Sequence, residues 1–287
     1  MILLGAEAEA SAELVENRRS ELGKLLADLG APLGLDLEVL SPAAQVAFLF
    51  QSAQAIRWSR NVTAAEQLAA KVGLLPNRTL VLRVSGLGPG LPVACGVVGD
   101  LAPGQVKAIE DATALAAACG WAPRITDHLG LTVLTGDVQF GDPIHSSTNP
   151  NLWQTVHLDL VNSTVVMARD LVHEATHTAL NTALDFAGVD LDKIDPRYYS
   201  PWKQERRPAF GFIHSIVSFV TVVDFLLSTR GVVSRLEGGL ATRLADDEVT
   251  RLKKTRDPVS QFTDEAPAEA LSIVEGILRR YWELVAD

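Results

Sequence analysis

Cysteine is nearly missing: Cys95 and Cys119 are the only two in 287 residues. That excludes a disulfide framework and makes a reducing cytoplasm the expected compartment. Positive charge is also short, with 25 Lys and Arg against 35 Asp and Glu, a formal net charge of −10. Such a balance argues against nucleic acid or an anionic membrane as the main partner, and it is compatible with a basic peptide. No apolar run is long and unbroken. The strongest, 209–227, is interrupted by His214, Ser215, Ser218, Thr221 and Asp224, so it reads as the buried helix of a soluble core rather than a span, and no membrane partner is expected. The opening Met1-Ile2-Leu3-Leu4 has no basic flank and turns Glu-rich, so it is not read as a signal peptide. Internal repeats and low-complexity linkers are lacking too.

What is present is globular in balance: 47% apolar and 21% charged residues, enough for a substantial core in one large domain or two ordinary ones. Residues 8–72 read as helices (13–29, 42–58, 64–72) separated by Gly/Pro breaks. Thr79–Val84 alternates like a strand, 86–92 is a turn-rich loop, and 103–118 is a helix ended near Gly120. Leu131–Leu134 is a short strand and 141–152 a polar loop. Trp153–Leu160 alternates as a strand with one polar face, His157 on its surface. Asn162 or Ser163 then caps a helix running to about Phe186. A loop over 190–208 leads into the apolar helix 209–229, and helices over 241–254 and 266–285 finish the chain. The expected fold class is α+β, predominantly α-helical, with a small sheet beside a zincin-like metal helix. The expected division is a helical N-terminal region 1–125, serving as cap or peptide recognition, and a catalytic region 126–287, or one continuous domain.

The helix expected after residue 163 carries His173-Glu174-Ala175-Thr176-His177. Residues four apart on a helix lie on one face one turn apart, so His173 and His177 can grip one divalent ion with Glu174 beside them. A catalytic metal usually takes a third protein ligand. The metzincin spacing fails, because Leu180 and Ala183 stand where Gly and His are needed. Glu205 and Glu237 are poorly placed for a gluzincin. His214, 37 residues beyond His177, is the better candidate, on an apolar helix with polar positions at 214, 218 and 221 in one stripe. Arg207-Pro208 leads into that helix. A carboxylate is favoured there by bidentate pairing and by the positive helix end, and Arg206 contends equally. Asp142, His145, Ser146, Ser147 and Trp202 are candidates for bordering the cleft and touching substrate.

Read together, His-Glu-Ala-Thr-His, the loop Tyr199-Ser200-Pro201-Trp202-Lys203 with Arg207-Pro208, and Phe212-Ile213-His214-Ser215 make the chain resemble the HEXXH-motif proteins of ribosomal peptide maturation, the αKG-HExxH-type peptide β-hydroxylases. The resemblance covers roughly residues 140–225, including His145-Ser146-Ser147; it departs at Lys203, where Arg is expected. It implies an Fe(II)- and 2-oxoglutarate-dependent oxygenase. His173, His177 and His214 would hold iron, Arg207 (or Arg206) would bind the distal carboxylate of 2-oxoglutarate, and the β-carbon of a residue in a precursor peptide would be hydroxylated. Glu174 would orient a ligand, stand behind one, or bind iron. Two other readings stay open: a zinc metallopeptidase with Glu174 as base, and a non-catalytic peptide-binding protein.

Overall fold

The computed structural model describes residues 7–28, 35–87, 91–139, 141–194 and 197–286. The expectations for residues 1–4 and for the middle of the 86–92 loop fall outside that set. The chain is mostly helical with a small mixed sheet, and it divides into two compact units, 12–178 and 179–287 with residues 1–11.

In the first unit, α1 (Glu7–Asp28), α2 (Pro42–Ser59) and α3 (Thr63–Ala69) precede β1 (Gly73–Leu74), β2 (Leu80–Ser85) and β3 (Val97–Gly99). Then come α4 (Pro103–Ala118), α5 (Ala122–His128), β4 (Leu131–Val138), β5 (Ser146–Thr148), β6 (Thr155–Val161) and α6 (Thr164–Phe186), whose last turns belong to the other unit. Local chemistry fixes the helix starts. Ser41 caps α2 by accepting from the Ala44 amide with Pro42 at the first position, and Ser163 Oγ accepts from the Val166 amide at the head of α6.

The sheet runs β1-β2-β4-β6-β5, with β3 also paired to β2. β2, β4 and β6 are parallel; β5 is antiparallel to β6 at the edge. This corrects two expectations. β6 is interior and almost wholly buried, and His157 on it is 2% exposed rather than a surface residue. Its polar positions are absorbed inside: Thr155 Oγ1 accepts from Gln51 of α2, whose Oε1 takes the Val93 amide. The edge is β5, three residues inside what reads as a polar loop. Buried apolar side chains of α2, β2 and β4 (Ala47, Phe48, Leu82, Val133) form one core cluster.

The second unit holds the end of α6, then β7 (Tyr198–Ser200), β8 (Glu205–Arg207), α7 (Ala209–Ser228), α8 (Arg235–Lys253), α9 (Arg256–Glu265) and α10 (Ala268–Val285). The 190–208 stretch is thus not all loop: β7 and β8 form an antiparallel hairpin with Tyr199 opposite Arg206. Three helices, not two, follow α7. Tyr198, Phe212 and Phe262 stack at the centre of this core. By length and composition α7 is apolar enough to cross a membrane, but 72% of its apolar window is buried inside the protein, as in a core helix.

Candidate metal centre on helix α6

The metal motif lies in the middle of α6, and the helical period sorts its residues onto two faces. His173 and His177 are half-buried, while Glu174 between them is 1% exposed. The two imidazoles stand edge to face, and their Nε2 atoms converge to 3.0 Å. Two lone pairs so close repel unless a proton or a cation lies between them. Nitrogen donors sit about 2.0–2.1 Å from a first-row metal, and at 3.0 Å apart they would subtend about 90° at the ion. The pair therefore fits a shared divalent ion, and in the absence of one a single N–H···N hydrogen bond. Among the described residues no set of three or more His, Cys, Asp and Glu side chains converges.

Glu174 is buried beside the pair. Its Oε1 is 3.9 Å from His173 Nε2, and its carboxyl bonds the hydroxyls of Ser146 and Thr148 on edge strand β5. Burial is the main cause that pushes its pKa up to about 8; the Ser146 and Thr148 bonds pull down, and the nearby Asp170 carboxylate pushes further up. Asp170 sits one turn earlier on the same face and is itself raised by burial, against the pull of Arg169, whose Nε lies 2.8 Å away. Asp170, Thr148 and Asp159 escaped the sequence reading. The Asp170/Glu174 spacing of four, parallel to His173/His177, was the available signal. Of the expected substrate residues, Ser146 is Glu174's partner, Ser147 pairs with His157 across the sheet, and His145 is exposed and bonded to Asp159. Asp142 bonds the Gln139 amide in an exposed loop.

In the second unit, His214 is 9% exposed on α7, its ring against Phe210 at 4.1 Å. Two hydroxyls beside it are satisfied within the helix: Ser215 Oγ donates to the Gly211 carbonyl at 3.0 Å and Ser218 Oγ to the His214 carbonyl at 2.6 Å. Arg207 folds over the first turn of α7, its guanidinium beside Gly211, where a Cβ would lie 2.9 Å from Cζ. One of its nitrogens reaches the Gly211 carbonyl at 3.4 Å. Arg206, on the opposite side of β8, points outward and donates to the Arg197 carbonyl. Trp202 stacks flat on Phe219 at 4.4 Å and donates to Glu248. The structure thus brings together His173, His177, Glu174 and Ser146 in one unit, and Arg207 and His214 around the first turns of α7 in the other.

No protein-family model matches this chain, and a search of curated proteins finds no match.

Proposed function

We propose that the chain is an Fe(II)- and 2-oxoglutarate-dependent oxygenase that hydroxylates the β-carbon of a residue in a ribosomally made precursor peptide, acting in the cytoplasm. The observation that carries it is the convergence of the His173 and His177 Nε2 atoms to 3.0 Å on one face of α6, a donor pair that the peptidase reading would share; the resemblance carried by Arg207-Pro208 and Phe212-Ile213-His214-Ser215 favours the oxygenase.

In this reading His173 and His177 hold the iron from α6, and His214, assigned by the family resemblance, is the third ligand. The zincin-like character of the metal helix belongs to the same reading. Iron with 2-oxoglutarate and O₂ supplies hydroxylation of an unactivated C–H bond. Arg207 takes the distal carboxylate of 2-oxoglutarate, because its guanidinium lies at the head of α7, where free amides also favour an anion. Glu174, bonded to Ser146 and Thr148 of β5, orients a ligand, stands behind one, or binds iron.

The test is anaerobic addition of Fe(II) and 2-oxoglutarate to metal-free protein, followed by mass spectrometry of a candidate precursor peptide exposed to air. A weak visible charge-transfer band and a gain of one oxygen atom that requires 2-oxoglutarate are expected. Peptide cleavage restored by zinc, with no band, overturns the reading in favour of a metallopeptidase. Peptide binding that survives H173A, with no turnover in the parent protein, overturns it in favour of a binding module.

A further inference from the structure

The first unit holds a second built arrangement, at the carboxyl ends of the parallel strands β4 and β6. Asp159, near the end of β6, is 7% exposed. Its Oδ1 accepts from Thr135 Oγ1 at 3.0 Å. Its Oδ2 accepts from the His145 backbone amide at 3.1 Å and lies 3.2 Å from His145 Nδ1. Thr135 is aimed there by a register shift in β4 between Leu134 and Asp137. The residue after it, Gly136, passes so close that a Cβ would sit 2.6 Å from Asp159 Oδ1. Three donors and a missing Cβ therefore fix one carboxylate.

A carboxylate accepts and does not donate, so the contact puts the imidazole hydrogen on Nδ1 and leaves the Nε2 lone pair open. The His145 side chain is 69% exposed, so that lone pair is accessible. Among the described residues no Lys or Arg pairs with Asp159, and Asp170 of α6 is near enough to repel through it. His145 is thus the side chain that answers the buried negative charge, which strengthens Nε2 as an acceptor. Its neighbour in sequence, Ser146, bonds Glu174 in the metal motif.

We propose that Asp159 and His145 form an acceptor dyad in which the carboxylate fixes the ring and Nε2 receives a hydrogen bond from an N–H or O–H group of the peptide substrate. Only the identification of the substrate as a peptide rests on the oxygenase reading. His145 touches substrate; Asp159 is a positioning residue acting through it.

Two measurements on the full chain test this. Long-range ¹H–¹⁵N NMR of the imidazoles in metal-free protein should show His145 as the Nδ1–H tautomer, and D159N should shift it toward Nε2–H. Anisotropy of a fluorescein-labelled precursor peptide, which reads affinity whether or not any chemistry follows, should weaken about tenfold in H145A, the equivalent of one hydrogen bond. D159N should weaken similarly, and H145Q, which keeps an acceptor near the Nε2 position, should bind nearly as the parent does. An Nε2–H tautomer in the parent protein, or peptide affinity within twofold in H145A, overturns the proposal. Loss of hydroxylation with the tautomer and affinity results intact sinks the oxygenase reading and leaves the dyad standing.

Discussion

Replacing Glu174 by glutamine removes an ionisable group from a site that disfavours its charge. Glu174 has a pKa pushed up from 4.5 to about 8, mainly by burial. Between those two values the folded state holds a proton that the unfolded state has released. Stability therefore falls as pH rises from about 4.5 to about 8, by about 1.4 kcal/mol per unit, and the accumulated loss at pH 8 is about 4 kcal/mol. The substituted amide keeps the shape and can still bond Ser146 and Thr148 without carrying a charge. The difference between E174Q and the parent should be near zero at pH 4.5 and should grow to a few kcal/mol in favour of E174Q at pH 8. The assay is urea unfolding of EDTA-treated protein from pH 4.5 to 8.5. Trp153, in the same unit as Glu174, supplies the fluorescence signal. The raised Asp170 contributes to both proteins and drops out of the difference to first order. A difference that stays flat across this range, or one that favours the parent at pH 8, refutes the reasoning.

Four further outcomes are expected. H157L should resist acid better than the parent between pH 6.5 and 4: burial lowers His157 to about 4, so the native state loses stability as pH falls below 6.5, and melting midpoints across that range read it. G130A should fail to fold or lose several kcal/mol, since a Cβ there would collide with the Ala43 backbone; soluble yield and circular dichroism check it. G211A should leave thermal stability within about 1 kcal/mol, because a better helix former offsets displacement of a flexible guanidinium, yet raise the 2-oxoglutarate requirement of turnover several-fold. H173A and H177A should each lose Fe(II) binding, and metal titration by calorimetry reads this.

α6 was legible because its signals are local: a Ser cap, a long apolar period, and two imidazoles one turn apart. β5 was not, because Ser146-Ser147-Thr148 has neither apolar alternation nor length, and it is a strand only by pairing with β6. The same pairing explains the misreading of β6. Its Thr-Val-His-Leu-Asp-Leu pattern alternates as a half-solvated strand should, but β4 and β5 flank it and helix side chains such as Gln51 meet its polar face. Period two reports two faces, not which of them is wet. Ser215 and Ser218 of α7 are accommodated in apolar surroundings because hydroxyls can bond the carbonyls one turn back, an outlet that imidazole lacks.

The period of α6 also explains why one short motif can hold two incompatible environments. His173 and Glu174 differ by one residue, hence by about 100° around the helix. That rotation carries the imidazoles to the partly exposed side and the carboxyls of Asp170 and Glu174 to the buried side, where Glu174 bonds Ser146 and Thr148 of β5. At the start of the β5 segment the exposed imidazole of His145 has Asp159 rather than Glu174 as the carboxylate behind the ring.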